Sequence, residues 1–546
     1  MLKNCVETDE ETSLRTPIQR ETLTLPTSAD EMAQNPFSMY RKLSTETEKV
    51  EFRRIVGETL NKRDEKGELL PSHVRRINFL MIPRRYYRKA GVTQKQRAAV
   101  YKHQVYHGDD GTKAVLELPG KGDNDADCDE IEMLVKRCFE LVVNDETKKA
   151  LIKLAEDNPD IGISKEEMAE LLQKLHPDRD DKPLELPHSK KMIHTTADEL
   201  EKLAKQSCHM RAPAHSGWTD ELLAEALHKT CLGRDEAVLF VEDISNNTID
   251  DTLLANMIRL GKLIGLLKPE STPELKKIRP IGICESILKL AGKLTLSKVN
   301  PAPLLEKVGQ RGFSPGGAEY IVHKMRAFMK EHGFLFLGAV DSANAYNEML
   351  RSAIRETLWK FREVFEQTFG LFNFEYGDVA YVITKDGIKI EVKTGVRQGG
   401  ASAGMFFSCG LHPVLAALFA EFPNLMVLAY LDDINIAAKT GPELETAIKF
   451  LEIELLKVGL RVNHKKSWWL GPEPPTDLPN FQYANDKTSC IRVVGGYLGA
   501  DEAVRAALCA AARACEPLFD RIKKTAKHLR CILLAKCVVT KMTFLL

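Results

Sequence analysis

The chain has 546 residues, enough for roughly two to four domains with their own hydrophobic cores. Lys and Arg together number 77, as do Asp and Glu, so the overall charge neither indicates nor excludes a polyanionic partner, because binding depends on local charge. Twelve scattered cysteines exclude a disulfide framework, and the polar N-terminus and lack of an apolar run of about 18 residues argue against a signal peptide and a membrane span. We therefore expect an intracellular protein, of the nucleus or cytoplasm, with no membrane partner.

The first 190 residues carry few functional signals. Residues 1–127 are predicted to be partly disordered, because their first 36 are rich in Thr, Glu and Ser. Residues 128–190 are predicted to be helical and to end in a linker. Ser164 to Glu167 form a capping box that opens an amphipathic helix. The Pro- and charge-rich stretch 176–190 is the predicted main domain boundary.

The next well-defined pattern is a strand followed by a helix. Residues 334–340 are almost wholly apolar, which predicts a buried strand with Asp341 at its end. Residues 344–369 are predicted to form one long helix, with Gly370 as its stop signal. A carboxylate at the exit of a buried strand can hold a metal rigidly, and a helix N-cap is the alternative role of Asp341.

A hairpin and a glycine-rich loop follow. Residues 381–392 have an Asp-Gly centre, which is a strong hairpin signal. In residues 395–404 the small side chains would let the backbone approach a flat ligand, and Gln398 could hydrogen-bond to it. A plain loop at the entry to the following apolar helix is the alternative.

Two adjacent aspartates then lie between apolar, strand-forming runs. This pattern predicts a hairpin with Asp432 and Asp433 at its tip. Adjacent desolvated carboxylates are costly unless a cation neutralises them, and a hard ion such as Mg²⁺ fits oxygen ligands. With Asp341 they could form the three-carboxylate site of two-metal phosphoryl transfer. A turn with two solvated aspartates is the alternative.

Short motifs in a fixed order make the chain resemble the reverse transcriptases, specifically the non-LTR retrotransposon type. The resemblance covers about residue 210 to the end. No single motif is distinctive, but their ordered recurrence makes chance similarity a poor explanation. The motifs are KIRPIG (277–282), QRGF (310–313), DSANAYN (341–347), RQG (397–399), YLDD (430–433), GLRVNHKK (459–466) and GYLG (496–499).

The resemblance implies a catalytic site for polymerisation. Asp341 and Asp432 would bind two Mg²⁺ ions, with Mn²⁺ as the alternative metal, and Asp433 would support them. Lys466 would approach the leaving pyrophosphate, where an ammonium group could donate a proton or neutralise charge.

The resemblance also implies residues for substrate and primer. Lys277 and Arg279 would hold the triphosphate, and Gln398 would contact the incoming nucleotide and its template base. The primer would be gripped by a hydrophobic turn made of Gly496, Tyr497, Leu498 and Gly499.

Tyr346, five residues after Asp341, helps most in choosing between polymerase types. An aromatic ring below the sugar would exclude a 2′-hydroxyl, whereas related polymerases that make RNA generally place a carboxylate at the matching position. We therefore expect synthesis of DNA. A core tyrosine with one hydrogen-bond partner is the alternative.

The expected fold is α+β: a right-hand polymerase with fingers, a palm with an antiparallel sheet, and a partial helical thumb, preceded by a partly disordered, mostly helical N-terminal region. Fingers would span 191–333, the palm 334–499, and the beginning of a truncated thumb 500–546. The expected partners are an RNA template, a DNA primer and dNTPs. An RNA-dependent RNA polymerase and a catalytically dead nucleic-acid-binding remnant are the alternatives.

Overall fold

A computed structural model gives the fold. It describes residues 39–40, 43, 46–86, 88–89, 163–179, 181, 185–206, 212–268, 276–331, 336–378, 380–384, 387–514 and 516. The predictions of disorder before residue 39 and of an apolar, truncated C-terminal end lie outside these residues.

Helices account for about half of the described residues. They are α1 (Glu46–Leu60), α2 (Ser72–Tyr86), α3 (Lys165–Lys174), α4 (Ala197–Lys205), α5 (Asp220–Ala226), α6 (Arg234–Asn246), α7 (Thr252–Arg259), α8 (Ser286–Ser297), α9 (Ala302–Leu305), α10 (Gly317–Glu331), α11 (Ala345–Glu348), α12 (Arg351–Lys360), α13 (Arg362–Phe365), α14 (Phe369–Tyr376), α15 (Ala403–Glu421), α16 (Gly441–Lys457) and α17 (Asp501–Arg513). Short 3₁₀ turns cover Glu306–Val308 and Glu366–Thr368.

The strands are short and form four sheets. They are β1 (Met39–Tyr40), β2 (Arg88–Lys89), β3 (Gly261–Leu267), β4 (Ile278–Ile283), β5 (Phe336–Val340), β6 (Ala380–Thr384), β7 (Lys389–Val392), β8 (Met426–Tyr430), β9 (Asp433–Ala438), β10 (Trp468–Gly471), β11 (Gln482–Asn485), β12 (Cys490–Val493) and β13 (Gly496–Gly499).

A five-stranded sheet with the order β11-β10-β5-β9-β8 holds the predicted strand and the predicted acidic hairpin. β5 pairs antiparallel with β9 and β10, and β8 with β9, whereas the edge pair β10–β11 is parallel. Gly338 of β5 has no side chain, which lets Leu444 and Ile448 of α16 pack closely on the sheet. The expected sheet is therefore antiparallel, apart from its β10–β11 edge.

A second sheet has the order β4-β3-β6-β7. Its β6–β7 pair is the hairpin predicted from the Asp-Gly centre, with Gly387 at φ +83° in the connection. The helix predicted from the capping box is α3, where the Ser164 hydroxyl accepts a hydrogen bond from the Glu167 amide at 3.1 Å. Apolar residues of α3 pack on this sheet.

The prediction of one long helix over residues 344–369 is wrong. The segment divides into α11, α12, α13 and α14, and Gly370 lies inside α14 instead of ending a helix. A Cβ at Gly370 would lie 2.5 Å from the Ser245 carbonyl oxygen, so this glycine serves the close approach of α14 to α6. A glycine required for packing therefore gave the same local signal as a helix stop.

The GYLG motif is also not a turn. Residues 496–499 are strand β13, which pairs antiparallel with β12. The turn of this hairpin is Val494-Gly495, with φ values of +45° and +93°. Two consecutive positive φ angles are those of a type I′ turn, which matches the twist of paired strands.

Helix α15 corrects the expectation that no segment is apolar enough to span a membrane. Among the described helices it is the one whose length and composition would allow a span, but 67% of it is buried inside the protein. A helix that is apolar on all sides is typical of the core of a large protein.

Candidate functional site

The three predicted carboxylates come together at one edge of the five-stranded sheet. Val340, the last residue of β5, is paired with Ile434 of β9, so Asp341 leaves its strand beside Asp433, where β9 begins. Asp432 lies in the turn between β8 and β9. Neighbouring antiparallel strands thus deliver carboxylates that are 91 positions apart in sequence, from 341 to 432, to the same place.

The turn before Asp432 is fixed by a buried glutamine. Leu431 has φ +54°, a left-handed conformation that costs a residue with a side chain about 1 kcal/mol or more. The Leu431 amide donates to Gln310 Oε1 at 2.8 Å, and Gln310 Nε2 donates to the Leu431 carbonyl at 3.0 Å. Gln310 is only 1% exposed. Gln310 is part of the QRGF motif, but the sequence alone indicates no role for it.

The carboxylates influence one another electrostatically. Burial raises the pKa of Asp341. Burial, and then the negative charge of Asp341, raise the pKa of Asp432. Burial, and then the negative charges of Asp432 and Asp341, raise the pKa of Asp433 to about 6. The three groups are therefore close enough to repel one another, and a cation among them would relieve that repulsion.

Basic residues surround this edge. Lys466 and Lys268 lower the pKa of Asp341, opposing the effect of its burial, and Arg279 does the same for Asp432. Lys466 and Arg279 thus lie near the carboxylates, and their roles toward the triphosphate and pyrophosphate stay predictions. Lys268, just after β3, has no signal in the sequence, because it comes near the carboxylates only when β3 takes its place in the fold.

The turn that carries Lys466 is bonded to the backbone of Asp341. The Asp341 amide donates to Ser467 Oγ at 3.1 Å, and the Asn463 amide donates to the Asp341 carbonyl at 2.8 Å. A side-chain hydrogen bond from Asn463 also lowers the pKa of Asp341. Asn463 was noted only as part of a motif, and Ser467 was not noted at all.

Carboxylate oxygens are the donors that hard divalent cations prefer, so Asp341 and Asp432 fit such an ion chemically. Within the part of the chain that the structure describes, no three His, Cys, Asp or Glu side chains are arranged so that they could already hold a metal ion. The donor chemistry therefore fits a metal, and completing its coordination would require oxygens from substrate, water or a shifted carboxylate.

Tyr346 lies on α11 close to the carboxylates. Its ring stacks on Phe407 with centroids 4.8 Å apart and planes 7° from parallel. Burial and the nearby charges of Asp432, Tyr430 and Asp433 raise the pKa of the Tyr346 hydroxyl, which keeps it protonated at neutral pH. Gly404 lies next to the ring, and a Cβ there would be in ordinary contact with the Tyr346 hydroxyl, 3.9 Å away. The half-buried ring is thus firmly supported from one side.

Gln398 is joined by the main chain to the strand that carries Arg279. The Gly282 amide of β4 donates to the Gln398 carbonyl at 3.0 Å. Gly399 has φ +110°, and a Cβ there would lie 2.3 Å from the Gly282 carbonyl oxygen. Only glycine therefore fits this contact. Lys277 immediately precedes the same strand, and its carbonyl accepts a hydrogen bond from the Lys268 amide at 2.9 Å.

Strand β13 packs against the five-stranded sheet through a shared hydrophobic cluster. Its Leu498 belongs to a hydrophobic cluster with residues of β5, β8 and α10, and Tyr430 packs against the same cluster. Tyr497 is half-buried, and its carbonyl accepts a hydrogen bond from Arg326 of α10 at 3.3 Å. The predicted primer-grip residues are therefore attached to the sheet that carries the aspartates.

Part of this chain is similar to known proteins. Residues 266–493 match the family described as reverse transcriptase (RNA-dependent DNA polymerase). The Retrotransposable element SLACS 132 kDa protein of Trypanosoma brucei gambiense is 29% identical over 267 residues, which is 47% of this chain and 21% of that protein. The chain thus spans about a fifth of the relative's length. The matched segment contains every predicted catalytic and nucleotide-binding residue but not residues 496–499.

Proposed function

We propose that this chain is an RNA-directed DNA polymerase of the non-LTR retrotransposon type, because residues 266–493 match the reverse transcriptase family and a protein of a retrotransposable element is similar to the chain. The observation that carries the proposal is the meeting of Asp341 with Asp432 and Asp433 at one sheet edge, with Lys466 and Arg279 beside them. In this proposal the five-stranded sheet is the palm, the β4-β3-β6-β7 sheet belongs to the fingers, and α17 begins a thumb.

The triphosphate would be bound by the basic residues on the fingers side of the site. Arg279 offers a planar fork of donors for phosphate oxygens, whereas Lys277 and Lys268 provide mobile point charges. Strand β4 and the loop that contains Gln398 are bonded to each other. The groups that hold the phosphates and the base pair would therefore keep a fixed separation.

The reaction is attack of the primer 3′-hydroxyl on the α-phosphate of a deoxynucleoside triphosphate, with pyrophosphate as the leaving group. Asp341 and Asp432 would hold the divalent ions, for which we propose Mg²⁺. When bound, such ions lower the pKa of the attacking hydroxyl and neutralise charge on the leaving group. Lys466 would stabilise or protonate the pyrophosphate from its position beside Asp341.

Tyr346 would select deoxynucleotides. Its ring is supported from one side by Phe407, so it cannot easily move aside for a 2′-hydroxyl. The Tyr346 hydroxyl stays protonated, so it offers no negative charge that could accept a hydrogen bond from a ribose 2′-hydroxyl. An RNA template and a DNA primer complete the proposal, since the matching family and the relative from a retrotransposable element support them.

Primer extension on an RNA template tests this function. We expect the full chain to extend a DNA primer with dNTPs in the presence of Mg²⁺ and to use NTPs far less well. Asp432→Asn should reduce extension by about a thousandfold or more, because it removes an anionic metal ligand. Asp250→Asn makes the same change at an exposed position and should leave extension unaltered. Equal extension by wild type and Asp432→Asn, or a preference for NTPs, would contradict the proposal.

A further inference from the structure

A segment before the family-matching region reaches the nucleotide site. This strap, defined as residues 164–179 together with Asp181, contains α3 and the chain that follows it. Its sequence predicts a capping box and part of a linker but no function. It runs from the β4-β3-β6-β7 sheet to α11, the short helix that carries Tyr346.

One end of the strap is packed on the fingers sheet. Leu172 is buried in a cluster with Leu263 of β3 and Ile278 of β4. Gly265 faces Met168 so closely that a Cβ would lie 2.4 Å from the Met168 sulfur. The Glu167 carboxylate also pairs with Lys276, just before β4, at 2.5 Å. Helix α3 is thus attached to β3 and to β4, which contains Arg279 and directly follows Lys277.

The other end of the strap receives two side-chain amides from the palm. The Leu175 carbonyl, at the C-terminal end of α3, accepts hydrogen bonds from Asn344 Nδ2 at 2.7 Å and Asn347 Nδ2 at 2.9 Å. Asn347 Nδ2 also donates to Asn344 Oδ1 at 3.0 Å. These two residues flank Tyr346. The carbonyls at the end of a helix lack intrahelical partners, so Leu175 is a suitable acceptor.

Helix α11, which carries Tyr346, needs such external support. It has four residues, the residue before it, Asn344, has φ +50°, and no side chain caps its first turn. Asn347 is only 8% exposed. Its amide anchors α11 on the side of the strap, and the hydrogen bond from the Val396 amide to the Tyr346 carbonyl at 2.7 Å anchors the helix near Gln398.

The remaining contacts continue along the palm. His176 lines a small cavity together with Asn347 and Gln398. The Asp181 carboxylate accepts a hydrogen bond from the Arg351 amide, at the beginning of α12. The strap is therefore in contact with the chain on both sides of α11.

We propose that the strap positions Tyr346, so that discrimination between deoxy- and ribonucleotides depends on the hydrogen bonds from Asn344 and Asn347 to the Leu175 carbonyl. This inference rests on the proposed polymerase function. Asn344, Asn347 and Leu175 are positioning residues that act through Tyr346. The Tyr346 ring can exclude a 2′-hydroxyl only if its position is fixed to within a fraction of an ångström. The strap supplies that restraint from outside the palm.

The experiment compares two buried asparagines. Asn347→Leu removes the amide bound to Leu175, whereas Asn373→Leu removes a similar one, which donates to the Leu186 carbonyl at 2.8 Å from α14. Each variant extends a DNA primer on a poly(A) RNA template with dTTP or UTP. Tyr346→Val, which removes the ring, sets the largest expected loss of discrimination.

We expect the ratio of kcat/KM for dTTP to that for UTP to fall about tenfold in Asn347→Leu, with a raised KM for dTTP. The ratio should stay within about twofold of wild type in Asn373→Leu, although both changes would lower thermal stability. An unchanged ratio in folded Asn347→Leu, or an equal fall in Asn373→Leu, would overturn the inference.

A second pair of variants covers the case in which Asn347→Leu does not fold. Glu167→Gln removes the ion pair with Lys276, and Glu170→Gln makes the same change at an exposed position of the same helix. We expect a smaller fall in the ratio, about twofold to threefold, only in Glu167→Gln. The same ratio in both variants would then overturn the inference.

Amide hydrogen exchange separates this inference from the proposed function. If wild type extends no primer, the polymerase proposal fails, but the strap still predicts faster exchange at residues 345–348 in Asn347→Leu than in Asn373→Leu. The Glu167→Gln and Glu170→Gln pair replaces these variants if Asn347→Leu is unfolded. Equal exchange within the pair used would overturn the role of the strap whatever the activity.

Discussion

The strained residue Leu431 stands directly before Asp432, and its left-handed backbone aims the turn that carries this carboxylate. Gln310 hydrogen-bonds to both main-chain polar groups of Leu431, so it offsets the strain from a point 121 positions away in sequence. Strain held in this way is common at functional sites, where the surrounding structure fixes one conformation.

Gln310→Leu should therefore slow polymerisation more than it harms the fold. The change leaves the Leu431 amide and carbonyl without their partner, which we expect to cost about 1–3 kcal/mol of unfolding free energy. We expect kcat to fall about tenfold to a hundredfold, because Asp432 loses its orientation. Urea denaturation and single-nucleotide extension measure the two effects. A folded variant with wild-type kcat would show that Gln310 does not position Asp432.

At the same scale, the chemistry of the site could be predicted but its supports could not. Asp341 and Asp432 could be recognised because each directly follows an apolar run that predicts a strand. Lys268 and Ser467 have no such local signal. Their relation to Asp341 arises only when distant strands pair, so neither spacing nor residue type revealed them.

Among the elements, α15 shows how burial alters a titratable group. His412 lies on this helix, is 6% exposed, and packs edge-on against Phe361 with centroids 4.9 Å apart. Burial, and then the charge of Lys360, lower the pKa of His412 from 6.5 to about 4. The imidazole is therefore neutral in the folded protein at neutral pH.

This shift predicts loss of stability in mild acid. As pH falls from about 6.5 to about 4, the unfolded chain binds a proton at His412 that the folded chain does not bind, so the folded state becomes less favourable. Between pH 7.5 and 5 the contribution is about 1–2 kcal/mol. His412→Phe should remove this part of the pH dependence. Urea denaturation of both proteins at the two pH values measures it, and equal losses in both would contradict the assignment.

The elements also show where local patterns mislead. The acidic hairpin, the β6–β7 hairpin and α3 follow signals contained within a dozen residues, and they formed as predicted. Gly370 failed as a helix stop because its role is a contact with α6, far away in sequence. Local patterns therefore predicted the elements that are stabilised by neighbouring residues in the sequence, and failed where a distant contact determines the residue.

Over the whole molecule, the described N-terminal helices share a core with the later chain. Phe79 of α2 stacks on Trp218 with centroids 4.3 Å apart, and the Trp218 indole donates to the Phe79 carbonyl at 3.0 Å. Arg53 of α1 is bonded to Glu225 of α5 by two of its nitrogens, at 2.8 and 2.6 Å. Sequence analysis treated residues 1–127 as a separate region. Its boundaries stay a prediction, but these contacts tie part of it to the segment expected to be fingers.

The central claim at this scale is that Asp341 and Asp432, on different strands, act as one metal-dependent site. Single-turnover extension of a primed RNA template by Asp341→Asn, Asp432→Asn and the double variant tests it most directly. Groups that serve one site are not additive, so each single change should slow the reaction about a thousandfold and the double change no further. A double variant slowed by the product of the two single effects, or a single variant as fast as wild type, would contradict the account.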